Sequence, residues 1–254
     1  MPRHRLFIPQ PISADQELSV DGEQGHYLSR VLRVKPGSTV TLFDGSDKEY
    51  PSIVLEAKRQ SVLLQTGQPV TRDTESRLSI RLIQGISRGE RMDFVVQKAT
   101  ELGVRRISPV LTEFSVVKLK AERATRRILQ WKKIAQSACE QCGRNTIPLI
   151  DEPVALHELL RETEQADCRL MLQLSAEVSL QQAGTKVSSV DLLIGPEGGL
   201  SDAEAELAAA TGYTAVSLGP RVMRTETAAL AALAIVQALW GDLLLARTIH
   251  ESSR

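Results

Sequence analysis

Apolar and polar positions change their rhythm at about residue 78, where short apolar runs begin to alternate with longer stretches of helical spacing. The apolar runs predict strands at residues 78–84, 106–111, 169–174, 190–194 and 215–218. Helices are predicted at residues 90–102, 121–141, 202–212 and 225–247. Gly103 closes the first of these helices, and Ser201 with Glu204 forms a capping box for the third. This alternation predicts an α/β domain with a mainly parallel sheet.

The first 70 residues have a different pattern, with short alternating runs separated by turn residues. Strands are predicted at residues 38–43, 50–56 and 61–66, and helical spacing at residues 25–33. Residues 67–76 have the composition of a linker. We therefore predict two domains, a small mostly-β domain at residues 1–72 and the α/β domain at residues 73–254.

Charge is balanced over the whole chain, with 31 basic and 31 acidic residues, but it is not evenly distributed. Residues 73–150 carry fifteen Lys/Arg against eight Asp/Glu, whereas residues 151–254 carry seven against fifteen. A local basic excess favours a polyanion-binding face, although an ordinary solvated helix face gives the same count.

The N-terminus lacks the apolar core of a secretory signal. The most apolar stretch, residues 228–245, is interrupted by Gln237, Gly241 and Asp242, which indicates a buried helix rather than a membrane span. Three cysteines are an odd number, which argues against a disulfide framework. We therefore expect a cytoplasmic protein that does not associate with a membrane.

Three loops of the last third follow predicted strands, the position at which open α/β sheets bind ligands. They are residues 175–177, residues 195–199, here called the glycine loop, and residues 219–225, here called the arginine loop. The glycine loop has neither a P-loop nor a G-x-G-x-x-G pattern. Glu197 would repel a phosphate by about 1 kcal/mol or more. A neutral or cationic ligand with hydroxyl groups, such as S-adenosylmethionine, suits this loop better, although glycines that only turn the chain give the same pattern.

In the arginine loop, Arg221 and Arg224 flank the apolar pair Val222 and Met223. Thr225 is predicted as a helix N-cap, and an acidic residue at position 226 suits the first turn. A bound phosphate or an acidic partner would explain the two arginines, but so would simple surface exposure.

Read together, these loops carry the segments IGPEGGLSDAE and SLGPRVMRTETAALAAL. Further blocks are HYLSRVLRVKPG and LFDG near the N-terminus, QKATELGV at residues 97–104 and SACEQCGRNTIP at residues 137–148. With these blocks in this order over nearly the whole chain, the sequence resembles the RsmE family of ribosomal RNA uridine-N3 methyltransferases, within the SPOUT superfamily.

The resemblance implies a PUA-like RNA-binding β-barrel followed by a SPOUT-type α/β domain with a deep trefoil knot, working as a homodimer. Periodicity indicates no knot, and knots are rare among proteins in general. The implied reaction is S-adenosyl-L-methionine-dependent methylation of N3 of one uridine, conventionally numbered 1498, in the 16S RNA of the small ribosomal subunit.

By position, the resemblance also implies the site residues. Arg224 and Glu226 would be catalytic. The residues that would bind the cofactor are Leu172, Leu174, Gly195, Pro196, Glu197, Gly198, Gly199, Leu218, Gly219, Val222, Met223 and Thr225. The residues that would dock RNA are Arg3, Arg5, His26, Arg30 and Arg33.

Two departures from the family pattern are small. Val222-Met223 stands where Ile-Leu is usual, which nearly conserves volume. Cys139 and Cys142 stand where Ala and Ser are usual and form a C-x-x-C pair. A zinc site would need two further ligands that the sequence does not place nearby, so we expect no metal.

The imide nitrogen of uridine is protonated at neutral pH, so methyl transfer needs its proton removed. We expect Arg224 to stabilise the negative charge that develops on the uracil carbonyls, and Glu226 to orient Arg224 or relay the proton. Two other functions fit the same sequence features: a non-catalytic RNA-binding ribosome-assembly factor, and a related methyltransferase with a different RNA target.

Overall fold

The computed structural model describes residues 4–115, 121–161, 166–182 and 187–245. The chain divides into two compact units, Met1–Glu75 with Gln136–Ile147, and Ser76–Ala135 with Pro148–Arg254. The predicted boundary after residue 72 lies near the end of the first segment. Nothing in the sequence pattern indicated that residues 136–147 belong to the first unit.

The first unit is built on a mostly antiparallel sheet. Its strands are β1 Arg5–Phe7, β2 Glu17–Asp21, β3 Thr39–Phe43, β4 Lys48–Ala57, β5 Ser61–Thr66 and β6 Val70–Thr71. The strand order is β1-β3-β4-β5-β2, with β6 paired to β4, and only β1 and β3 pair in parallel. Alternate residues of β5 (Val62, Leu64 and Thr66) are buried, which is the period of two that a half-buried strand requires.

The predicted helical segment at residues 25–33 forms in two parts. Helix α1 (Gly22–His26) continues into a π-helical turn at Tyr27–Val31. Arg33 ends the segment with a left-handed backbone (φ 54°), a conformation that is uncommon outside glycine.

The second unit contains a parallel sheet. Its strands are β7 Ser79–Gly85, β8 Arg106–Leu111, β9 Leu149–Ile150, β10 Val154–Ala155, β11 Cys168–Leu172, β12 Ser189–Ile194 and β13 Thr214–Val216. The strand order is β10-β8-β7-β12-β11-β13, with β9 also paired to β8, and these pairings are all parallel. This confirms the predicted α/β architecture, and it makes β12 a central strand.

The helices are α2 Arg91–Glu101, α3 Ala121–Cys142, α4 Leu156–Leu159, α5 Asp202–Ala210 and α6 Thr225–Trp240. Helices α4 and α5 bury Leu156, Leu159 and Ala208 against Ile83 and Leu193 of the sheet. Helices α2 and α6 pack against each other, and α6 also contacts β12. The predicted capping box forms, because the Glu204 amide donates to Ser201 Oγ and the Ser201 amide donates to Glu204 Oε2.

Several predicted element ends are wrong, among them the following three. The strand predicted at residues 169–174 ends at Leu172, where the chain leaves the sheet. The last helix ends at Trp240 rather than near residue 247, with Gly241 as its C-cap, and the Gln237 side chain accepts the Asp242 amide just beyond that end. Thr225 is the first residue of α6 and not its cap, a position that extended Arg224 occupies.

Candidate active site

Three loops of the second unit emerge at one edge of its sheet. Strand β11 lies between β12 and β13, and the three strands are parallel, so their carboxyl ends share that edge. The loops after β11 and β13 are hydrogen-bonded to each other, since the Gln173 amide donates to the Val216 carbonyl (3.0 Å) and the Ser217 amide to the Val178 carbonyl (2.9 Å). The loops that the sequence singled out are therefore neighbours.

The glycine loop is a tight turn. The Gly199 amide donates to the Pro196 carbonyl (2.9 Å), and Gly199 adopts a φ of 76°. A Cβ at position 195 would lie 2.7 Å from the carbonyl carbon of Gly199, and one at position 198 would lie 2.8 Å from Phe114 Cβ. Both distances are too short for real atoms, so the packing of the protein itself requires glycine at these two positions.

Thr225 fastens the start of α6 to this turn. Its Oγ1 donates to the Gly195 carbonyl (2.7 Å) and accepts from Gln84 Nε2 (3.0 Å). Thr225 is buried, and Gln84 lies near the carboxyl end of β7. Gln84 was not predicted from the sequence. The Thr225 hydroxyl is engaged with protein atoms and holds two strand ends and a helix together, and the predicted cofactor contact of Thr225 stays a prediction.

The rim of this edge is partly apolar. Val222 is 79% exposed and Leu174 is 71% exposed, which is unusual for side chains of this type. Leu172, Leu218 and Met223 are half-buried, and Gly219 is exposed with a φ of 82°. Small-molecule sites combine apolar side chains with a few backbone or side-chain polar groups, and both are present at this edge.

A cluster of charged side chains lies where the glycine loop meets α6. Arg91 Nη1 lies 2.5 Å from Glu197 Oε1, which also accepts the Arg88 amide (3.1 Å). Burial alone would raise the pKa of Glu197, but the hydrogen bonds from backbone amides and from Arg91 outweigh it and hold that pKa below its usual value. The carboxylate is thus committed to Arg91 and Arg88.

The two predicted catalytic residues have different surroundings. Arg224 is exposed, and its carbonyl accepts the Ala228 amide in the first turn of α6. Glu226 is largely buried: its Oε1 lies 3.9 Å from Arg91 Nε, and its Oε2 has no hydrogen-bond partner among the described residues. Arg91 was not predicted from the sequence, because an ion pair between residues so distant in the chain leaves no local pattern.

In the first unit, one predicted RNA-docking residue is largely buried. The Arg5 side chain is only 7% exposed and is paired with Glu49. Its Nη2 donates to Asn145 Oδ1 (2.6 Å), and its guanidinium lies 4.9 Å from the centre of the Phe43 ring. Arg5 is therefore largely buried and paired within the protein, and its Nε has no hydrogen-bond partner among the described residues, so its role in docking RNA stays a prediction.

The other predicted RNA-docking residues remain predictions. His26, Arg30 and Arg33 are exposed, and Arg3 lies outside the described residues.

The C-x-x-C pair lies in the last turn of α3. Cys139 is buried, and burial raises the pKa of its thiol to about 12, so it stays protonated and unreactive. In the described part of the chain, no group of three or more His, Cys, Asp or Glu side chains is arranged to hold a metal ion. In the same residues, no helix combines the length and apolar character needed to cross a bilayer.

Two family models match the chain. An RNA methyltransferase domain model matches residues 74–237, and an RNA methyltransferase PUA domain model matches residues 20–66. The first covers more than half of the chain, including all three loops.

Relatives and solved structures agree with these models. The ribosomal RNA small subunit methyltransferase E of Buchnera aphidicola is 33% identical over 94% of this chain and 97% of its own. A putative methyltransferase of Legionella pneumophila, solved with the bound cofactor SAM, has a TM-score of 0.91 and 40% identity, covering 94% of this chain and 98% of its own. A ribosomal RNA small subunit methyltransferase E of Neisseria gonorrhoeae, bound to S-adenosyl methionine, has a TM-score of 0.86 and 37% identity with the same coverage.

Proposed function

Because the chain belongs to the ribosomal RNA small subunit methyltransferase E family, we propose that it methylates N3 of one uridine in 16S ribosomal RNA. It is an S-adenosyl-L-methionine-dependent methyltransferase that acts on small-subunit RNA, with an N-terminal PUA-like domain. The uridine, its N3 atom and its position, conventionally 1498, are the finer part of the proposal. The main support for this proposal is that the turns after β12 and β13 lie together, because Thr225, at the end of the second, donates a hydrogen bond to Gly195 in the first.

The residues present at these turns fit the methyl donor. Apolar Val222 and Leu174 are exposed beside the turns and suit the adenine ring. We infer that the backbones of residues 172–174, 195–199 and 218–223 hold the donor. Glu197 contributes its backbone, since its carboxylate is occupied by Arg91. When bound, S-adenosyl-L-methionine supplies an electrophilic methyl group on a sulfonium.

Around that donor, two side chains act on the base. Loss of the N3 proton places negative charge on the uracil carbonyl oxygens, and exposed Arg224 stabilises that charge. Glu226 takes up the proton, and its unpartnered Oε2 supports this role. The base must be unpaired to bring N3 to this edge of the sheet.

The domain boundaries and the finer fold also belong to the proposal. Residues 1–72 form a barrel that docks RNA through His26, Arg30 and Arg33, and residues 73–254 form the catalytic domain, apart from the segment Gln136–Ile147 that belongs to the first unit. A trefoil knot in that domain is supported by the path of the chain: β13 lies at one edge of the sheet, whereas Thr225 is bonded at the ends of β7 and β12 near its centre.

We further infer that the chain works as a homodimer. Large apolar side chains on the last turns of α6 and just after it are exposed, and they are Ile235, Leu239, Leu243, Leu244 and Leu245. Contiguous exposed apolar residues of this kind are typical of protein interfaces. The proposed substrate also implies action in the cytoplasm.

Mass spectrometry of 16S RNA tests the function directly. Cells that lack this protein are expected to lose one methyl group from one uridine, and the wild-type chain is expected to restore it. The unmodified base should be converted to 3-methyluridine by the purified protein with S-adenosyl-L-methionine. A missing ribose methyl, another missing base methyl, or an unchanged RNA would contradict the proposal. Thermal stabilisation by S-adenosylhomocysteine separates an enzyme from a non-catalytic assembly factor.

A further inference from the structure

One arginine at the active site is shared by two carboxylates that come from different elements. Arg91 is the first residue of α2. Its Nη1 lies 2.5 Å from Glu197 Oε1, and its Nε lies 3.9 Å from Glu226 Oε1. Glu197 belongs to the glycine loop, and Glu226 to the first turn of α6. The arginine side chain is 39% exposed, whereas those of Glu197 and Glu226 are 26% and 15% exposed.

The planar guanidinium gives this arrangement its geometry. Nη1 and Nε project from one rigid group in fixed directions, so binding one carboxylate restricts where the other lies. The Glu197 oxygen that faces Arg91 also accepts the Arg88 amide, which ties the glycine loop to the chain just before α2. The Glu226 oxygen that faces Arg91 is Oε1, whereas Oε2 is buried and has no hydrogen-bond partner among the described residues.

We propose that Arg91 is a positioning residue for methyl transfer: it orients the Glu226 carboxylate towards the reacting base and holds the glycine loop against α2. This inference rests on the proposed function. Arg91 acts through the two carboxylates and does not itself contact the base. In the reaction, the N3–H bond breaks and its proton passes to Glu226 Oε2. The N3 electron pair forms the new bond to the methyl carbon, and the carbon–sulfur pair stays on sulfur as S-adenosylhomocysteine leaves.

Two double-mutant cycles test the inference. The first combines Arg91→Ala with Glu226→Gln and measures the single-turnover methylation rate on small-subunit RNA at saturating donor. Arg91→Ala alone should lower that rate about tenfold or more, but it should cause no further loss when Glu226 is already Gln. A merely structural role would instead lower the rate by the same factor in both backgrounds.

The second cycle combines Arg91→Ala with Glu197→Gln and measures the Kd for S-adenosylhomocysteine by calorimetry, without turnover. Arg91→Ala alone should weaken binding severalfold, and it should add little once Glu197 is Gln. Arg91→Lys keeps the positive charge but lacks the planar guanidinium that contacts both carboxylates. Compared with Arg91→Ala, it should therefore restore the affinity for the donor more fully than the methyl-transfer rate. If Arg91→Ala does not fold, Arg91→Lys provides the same two cycles.

The matched control is Lys98→Ala. Lys98 lies on the same helix and pairs with Glu101 (2.7 Å), away from both carboxylates. Its removal should leave the transfer rate and the Kd unchanged. Additive effects in both cycles, or an Arg91→Ala rate equal to wild type, would overturn the inference. A wild-type protein that binds donor but methylates no uridine N3 would overturn the proposed function instead, and the calorimetric cycle would still report on Arg91 and Glu197.

Discussion

At the residue scale, single side chains hold the loops of the active site in place, and Thr225 is an example. Its hydroxyl is both donor and acceptor, so it satisfies the Gly195 carbonyl and the Gln84 amide at once. A buried polar group that loses its partner costs about 1–3 kcal/mol, so this pair of bonds holds the glycine loop to the start of α6. Arg224 directly precedes Thr225, so these two hydrogen bonds also restrain the backbone of Arg224, whose side chain is exposed.

At the same scale, Arg224→Ala should separate donor binding from chemistry. Because Arg224 is exposed and its side chain is not part of the packed interior, its loss should leave the fold and the Kd for S-adenosylhomocysteine near wild type. The methylation rate should fall by about 10²–10³, the usual cost of removing one oxyanion-stabilising donor. Single-turnover kinetics and calorimetry on the same samples measure both quantities.

Arg221→Ala is the matched control for this prediction. It removes a second exposed arginine from the same loop, and we expect a much smaller effect on the single-turnover rate. Equal losses in the two variants would mean that the loop acts through its total charge, and Arg224 would then lose its proposed catalytic role.

Whole elements were the part of the structure that the sequence predicted best. Strand β8 forms at the predicted residues, because it is a short and mainly apolar run, and α2 and α3 form within one residue of their predicted ends, because a period of about 3.6 repeats several times in each. Strands β1, β2, β6, β9 and β10 and helix α4 were missed, since two to five residues are too few to show a clear period. The loops were found from their glycines and arginines, whereas Gln84 and Arg91 act through contacts that only the folded chain creates.

Gly198 gives a prediction at the element scale. A Cβ there would lie 2.8 Å from Phe114 Cβ, so Gly198→Ala should lower the melting temperature by about 2–12 °C, the range expected for about 1–3 kcal/mol of overpacking. Adding Phe114→Gly removes the clashing atoms. Thermal unfolding and calorimetric titration with S-adenosylhomocysteine would be measured for both variants and for Phe114→Gly alone.

The double variant distinguishes two reasons for the glycine. Relative to Phe114→Gly alone, adding Gly198→Ala should cost little stability, because the methyl group then has room. If the loop backbone also holds the donor closely, binding should stay weak in the double variant. Full recovery of donor affinity would show that only Phe114 requires glycine at this position, and that the loop leaves space for a methyl group beside the donor.

At the scale of the whole molecule, burial was the property that the sequence predicted least well. A sequence cannot by itself distinguish an exposed arginine from one that is paired inside the protein. Arg5 is largely buried, and its partners Glu49 and Asn145 come from distant parts of the chain. The segment Gln136–Ile147 joins the first unit for the same reason, since Arg144 is buried against Glu75 with Nη2–Oε2 at 2.6 Å. Long-range pairing of this kind has no local sequence signature.

Assembly is the property of the whole molecule that is most open to a direct test. Ile235 and Leu239 are one helical turn apart on α6, and Leu243 and Leu244 follow the helix, so their exposed apolar surface is continuous along the chain. Leu239→Glu would place a charge in an interface whose centre is depleted of charges. We expect the wild-type protein to sediment as a dimer and Leu239→Glu as a monomer at the same concentration. Leu129→Glu, at a more exposed leucine of α3, should remain dimeric. A wild-type monomer at micromolar concentration would refute the proposed dimer, whereas a dimeric Leu239→Glu would move its interface to another surface.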